Sequence, residues 1–161
     1  WIAPILSFTA EEVYQHLSGS KKESVFLEKW DTKNIEISQD EIKICENIFI
    51  LKQKVSKELD DARSSDLIGS SLDANVELIV EKELYNSLVI YSEELKYIFI
   101  CSHCELKQGD KLSITIHKNI NNKCDRCWHK NESVGTIKDH PNLCARCHDN
   151  IYGDGEKKIL A

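Results

Sequence analysis

The sequence predicts an α+β chain in three parts: a helical segment, a small mixed-sheet α/β subdomain and a C-terminal zinc ribbon. Three observations carry that expectation. Apolar residues recur every three or four positions from Ile44 to Ala62, and they alternate with polar ones near residues 76–80 and 112–116. Near the end, two C-x-x-C pairs stand sixteen residues apart. The expected parts are residues 1–66, 67–120 and 121–161.

The first part opens with Thr9-Ala10-Glu11-Glu12, a capping box that predicts a helix through Val13, Tyr14 and Leu17 ending near Gly19. Val25, Phe26, Leu27 and Trp30 follow as an apolar patch in a loop, read as anchors against the helices. A second box, Ser38-Gln39-Asp40-Glu41, opens the longest periodic segment. Ile44, Ile48, Leu51, Val55, Leu59 and Ala62 form one face of a helix running to about Ser65. That face needs a partner, and helices outside this chain are expected to cover Ile44, Ile48 and Leu51.

After Gly69 the period changes. Val76, Leu78 and Val80 alternate with Glu77 and Glu81 as a strand, and Leu84, Leu88 and Tyr91 mark a helix. Tyr97-Ile98-Phe99-Ile100-Cys101 is expected as a strand buried on both faces. Gln108-Gly109-Asp110 signals a turn into a strand carrying Leu112, Ile114 and Ile116, giving a hairpin. Asn119 to Lys123 is polar turn chemistry and marks the boundary to the ribbon.

Composition narrows the function classes. Of 161 residues, 41% are hydrophobic and 30% charged, as in an ordinary globular protein. The longest uninterrupted apolar run, residues 97–101, falls far short of the ~20 that a membrane span requires, so no membrane partner is expected. No targeting peptide is visible at Trp1, and the chain reads as a fragment of a longer polypeptide. The net charge is −6, with the acidic excess in residues 40–95. Nucleic-acid contact is therefore expected to be local. Paired cysteine spacing without a disulfide framework implies a reducing compartment, the cytoplasm.

The chemistry concentrates in Cys124-Asp125-Arg126-Cys127 and Cys144-Ala145-Arg146-Cys147. Each tight turn presents two thiolates, and two such turns close a tetrahedron around one Zn²⁺. Four sulfur ligands leave no position for an activated water, so the metal is structural and its binding is folding free energy. His129, His140 and His148 lie near enough to replace a cysteine. Cys101 and Cys104 are read as small buried residues rather than a second metal or redox pair, and Cys45 as packing on its helix.

Residues 1–12, Trp1-Ile2-Ala3-Pro4-Ile5-Leu6-Ser7-Phe8-Thr9-Ala10-Glu11-Glu12, with Ser24-Val25-Phe26-Leu27-Glu28-Lys29-Trp30, resemble the end of the helical anticodon-binding domain of bacterial-type isoleucyl-tRNA synthetases. Ile68-Gly69-Ser70-Ser71-Leu72-Asp73-Ala74 and Ser92-Glu93-Glu94-Leu95 fit that family's connecting pattern. Cys124-Asp125-Arg126-Cys127-Trp128-His129, Leu143-Cys144-Ala145-Arg146-Cys147 and Gly153-Asp154-Gly155-Glu156-Lys157-Lys158 are similar to its carboxy-terminal zinc module. The family commonly has apolar or small residues where Cys101 and Cys104 stand.

The resemblance implies a parent ligase that joins isoleucine to its tRNA with ATP and Mg²⁺ and works as a monomer. This fragment, without catalytic residues of its own, would hold the anticodon end of isoleucine-specific tRNA. Unpaired bases are read by stacking and edge hydrogen bonds, which makes Trp128 and Arg126 candidates. Trp128 either stacks on a base or covers the ribbon as its own small core. Arg146, Lys157 and Lys158 either meet phosphates or form a solvated charged face. Two other readings are the zinc ribbon of a DNA glycosylase, which would expect a basic half-chain, and a purely structural or interaction ribbon.

Overall fold

The computed structural model describes residues 1–29 and 36–159. Trp30, expected in the apolar patch, lies outside the described residues. The chain forms two compact units, Trp1–Ile37 and Ser38–Ala161.

In the first unit, helix α1 spans Ser7–His16 and a single 3-10 turn spans Val25–Leu27. The Thr9–Glu12 box does not form. Backbone bonds from Leu6 N to Ile2 O and from Ala10 N to Leu6 O start the helix before Thr9, which places Thr9 inside it. The carboxylate of Glu11 instead accepts from Ser24 Oγ at 2.7 Å and Val25 N at 3.0 Å, tying the 3-10 turn to α1.

The second unit begins with α2, Gln39–Ser64, whose Ser38–Glu41 box forms in both directions: Glu41 N donates to Ser38 Oγ and Ser38 N donates to Glu41 Oε2. Ile48, Leu51, Val55, Leu59 and Ala62 are buried on one face. That face packs on the chain's own sheet, in one core with Val76, Leu78, Val80, Leu88, Leu95 and Phe99, and Ile44 packs against the same core. The expectation of helices from outside is thus corrected, since strands and short helices within the unit cover the stripe. Cys45, expected as packing, is exposed.

Strand β1 (Ala74–Val80) shows the anticipated alternation of buried and half-buried residues. Helices α3 (Lys82–Leu88) and α4 (Leu95–Phe99) lead to β2 (His103–Gln108), which pairs parallel to β1. Strand β3 (Ser113–Lys118) pairs antiparallel to β1 on its other side, giving the order β2-β1-β3.

Two expectations change here. Residues 97–101 are not a strand: Tyr97, Ile98 and Phe99 belong to α4. Ile100 then turns left-handed at φ 56° and ψ 51°, with Cys101 N donating to Lys96 O. A five-residue apolar run carries no period, so helix and strand look alike in it. The strands flanking Gly109 do not form a hairpin either, because β1 lies between them. The link passes over the end of β1, where Gly109 N donates to Val80 O. A Cβ at Gly109 would come within 2.4 Å of Ile79 Cγ2, which is why a glycine stands there. No helix among the described residues is long and apolar enough to cross a membrane.

Candidate metal centre

Beyond β3 the chain has little apolar material. A small core holds Cys124, Val134, Cys144 and Cys147, with Cys127 and Leu143 against it. Local structure aims the four thiols inward. Lys123 and Lys130 form an antiparallel bridge, and within it Trp128 N donates to Cys124 O at 2.9 Å and Cys124 N to His129 O at 3.0 Å. This tight turn presents Cys124 and Cys127. The second pair stands at the start of α5 (Ala145–Tyr152), where Cys144 is the N-cap and His148 N donates to its carbonyl.

The four Sγ atoms lie within 4.8 Å of one another, and Cys127 Sγ sits 3.8 Å from Cys144 Sγ. A tetrahedron of ~2.3 Å zinc–sulfur bonds has edges of about 3.8 Å, so the donor set and its spacing fit Zn²⁺. No other group of three or more potential ligands occurs among the described residues. The four cysteines thus fit a closed, structural zinc site.

Its electrostatics divide the four thiols into two pairs. Burial opposes ionisation of Cys127, but donation from His129 and Arg146 outweighs it and brings the pKa down to about 5. At Cys124 burial is likewise outweighed, here by backbone amides of Cys127, Cys144 and Arg126. Burial prevails at Cys144, pushed up to about 12, and raises Cys147 as well. Cys101 and Cys104 show the opposite chemistry. Both are buried as expected, and burial pushes the Cys101 thiol up and Cys104 to about 12. They are packing residues of the sheet core.

The histidines do not enter the ligand set. The His129 ring meets Tyr97 edge-on with centroids 5.6 Å apart, and its Nε2 is buried without a hydrogen-bond partner. His140 stacks on Tyr152 at 4.5 Å, beside His148.

The other sequence-derived residues separate into two groups. Trp128 is 58% exposed, outside the small core, at φ 66°, with Lys123 Nζ 4.9 Å from its ring centroid. Lys157 is also exposed. The others have partners within the chain. Arg126 Nη1 donates to Cys147 Sγ at 3.6 Å. Arg146 pairs with Glu156 at 2.8 Å, stacks 5.0 Å over Tyr97 and donates to Cys147 Sγ at 3.8 Å. Lys158 Nζ lies 4.8 Å from the Tyr97 ring centroid and 4.0 Å from Glu156.

Sequence reasoning missed Tyr97 and Glu156, which organise this cationic cluster. It also missed Lys130, whose amide donates to Ser102 Oγ at 2.7 Å and whose ammonium pairs with Asp73 at 3.0 Å, docking the module on the sheet. Nothing local in the sequence signals contacts between positions so far apart.

Residues 1–78 match the family described as the anticodon-binding domain of tRNA ligase, and residues 121–150 the zinc finger found in FPG and IleRS. The chain is 39% identical over 163 residues to an isoleucine–tRNA ligase of Dichelobacter nodosus, covering 100% of the chain and 18% of that protein. It is 38% identical to that of Shewanella sp. (strain ANA-3), with 100% and 19% covered, and 38% to that of Methylococcus capsulatus, with 99% and 19%. The chain thus spans about a fifth of the length of the curated relatives it matches.

Proposed function

Because the chain belongs to the isoleucine–tRNA ligase family, we propose that it serves as the C-terminal, tRNA-facing region of such an enzyme. It holds the anticodon end of isoleucine tRNA while ATP- and Mg²⁺-dependent attachment of isoleucine proceeds in another part of the parent protein. The parent works as a monomer in the cytoplasm. The division of labour along the chain is residues 1–66 for the end of the anticodon-binding domain, 67–120 for the connector and 121–161 for the zinc module.

One observation carries this reading. The same chain combines an anticodon-domain match with a zinc knuckle that displays an aromatic ring outward. A bulky residue in the left-handed region costs roughly 1–2 kcal/mol. The knuckle accepts that cost at a tryptophan whose indole faces solvent, which favours stacking on an RNA base over covering the ribbon. Lys123, Arg126 and Lys157 flank the indole or extend the charged surface beside the unpaired nucleotides. Arg146 and Lys158, held by Glu156 and Tyr97, contribute to phosphates through their field rather than by direct reach.

Trp128→Ala in the intact ligase is expected to weaken isoleucine tRNA binding by ~1–3 kcal/mol while zinc stays stoichiometric. Unchanged affinity in the zinc-loaded variant would reject the stacking role. The zinc-finger family spans two kinds of protein, and the competing reading is a ribbon that binds DNA. Comparing affinity for isoleucine tRNA with that for DNA carrying a damaged base, across salt concentrations, separates the two.

A further inference from the structure

Both C-x-x-C pairs of the metal centre carry arginine at the third position, Arg126 and Arg146. Although they come from different local structures, a turn and the first turn of α5, both guanidiniums converge on one atom. Arg126 Nη1 stands 3.6 Å and Arg146 Nη2 3.8 Å from Cys147 Sγ, and Cys147 is fully buried. We propose that the two arginines form a guanidinium cap on Cys147 that neutralises the zinc–thiolate centre and slows exchange of its ligands.

The charges require some such arrangement. One Zn²⁺ with four thiolates carries a net charge of −2, placed in a module whose core is little more than the cysteines themselves with Val134 and Leu143. An uncompensated buried charge is costly, and two guanidiniums beside it offset part of that cost. Each N–H directed at sulfur also draws electron density from the thiolate, lowering its nucleophilicity. Two guanidiniums are aimed at Cys147 Sγ, whereas Cys124 Sγ accepts from the backbone amide of Cys144 at 3.4 Å. Cys147 is therefore the ligand that the guanidiniums shield.

Arg146 is moreover held from two further sides, one of them outside the module. Its guanidinium lies over the ring of Tyr97 in α4 and pairs with Glu156 in the tail. The cap thereby joins the metal centre to the sheet subdomain. This inference concerns the metal centre alone, so failure of the Trp128 experiment leaves it standing, and its own failure leaves the tRNA reading intact.

The test uses the zinc-loaded full chain in competition with a chromogenic chelator. Arg126→Gln and Arg146→Gln are each expected to raise the zinc dissociation constant on the order of 10-fold, with the double variant weaker than either. Arg→Lys at each position, which keeps the charge but loses the planar fork, falls between. Glu156→Gln serves as the control and leaves zinc affinity within about twofold. Its matching the loss in Arg146→Gln would assign that loss to the Glu156 pair and overturn the cap at that position. Iodoacetamide, whose iodide a thiolate displaces to form a thioether, provides an independent readout by peptide mass spectrometry. Cys147 is expected to be alkylated last in the native chain. Native affinity in the double variant, or alkylation of Cys147 ahead of the other three ligands in the native chain, would overturn the proposal. The native alkylation order decides even where the double variant fails to fold.

Discussion

The sheet subdomain and the zinc module both contain a buried pair of cysteines separated by two residues, yet they draw their order from different sources. In the core that the sheet subdomain shares with α2, Leu51, Val55, Leu78, Leu88 and Leu95 are 2% exposed or less, and burying each contributes about 1.5–3 kcal/mol. Cys101 and Cys104 there are surrounded by hydrocarbon, and burial keeps them protonated. In the module, backbone amides, His129 and Arg146 face Cys124 and Cys127, and the same burial no longer prevents thiolates from forming. The difference lies in what surrounds the sulfur, which C-x-x-C spacing alone does not specify.

The sharpest way to separate the two regions is Cys124→Ser. Zinc binding of order 10–16 kcal/mol is folding free energy for a segment with so small a core, so this variant is expected to lose the metal and the order of residues from about 121 onward. The sheet subdomain should keep its structure. Hydrogen exchange measured residue by residue checks this: protection should vanish in the module and persist in α2 and β1. Retained stoichiometric zinc would remove Cys124 from the ligand set. The module also responds to pH. Metal binding must strip protons from Cys144 and Cys147, whose pKa values are raised, so zinc affinity should fall steadily as pH drops from 7 to 5.

What the sequence makes legible follows from how local each interaction is. The Ser38 capping box, the stripe from Ile44 to Ala62 and the alternation along β1 are set by neighbours within four residues, and all three form. The clustering of the four cysteines was readable because two tight turns at that separation leave few other arrangements. The Thr9 box failed although its residues were right, because backbone bonds from Ile2 and Leu6 had already started the helix. Contacts between distant positions left no trace: that α2 packs on the chain's own sheet, that both arginines reach Cys147, and that Lys130 docks the module are products of tertiary placement.

The docking contact gives a smaller effect with a different pH signature. Lys130 holds the Asp73 carboxyl below the usual carboxylate range. Stability from a depressed carboxylate is present above its unfolded pKa of ~3.9 and is lost as pH falls through the folded value. Asp73→Asn can still accept from Ser70 N, so it removes mainly the ion pair, at a cost of about 1 kcal/mol. The denaturation midpoints of the two proteins should differ equally at pH 7 and pH 5, across the range in which zinc affinity drops. A difference that shrinks in step with zinc affinity would mean that Asp73 acts through the metal site.

The smallest prediction concerns an irregularity present in both regions. Ile100 and Trp128 each hold a large side chain at positive φ, 56° and 66°. At Ile100 the side chain is 55% exposed and ends α4, a position where glycine has no steric penalty. Ile100→Gly removes a strain of roughly 1–2 kcal/mol and loses some burial and unfolded-state restriction, leaving a net gain of about 0.5–1 kcal/mol. Trp128→Gly should likewise relieve its knuckle but weaken tRNA binding. An increase in the unfolding midpoint for Ile100→Gly without change in tRNA affinity identifies its strain as a by-product of ending a short helix before β2. Lost affinity in that variant would instead give α4 a part in holding the RNA and erase the contrast between the two positions.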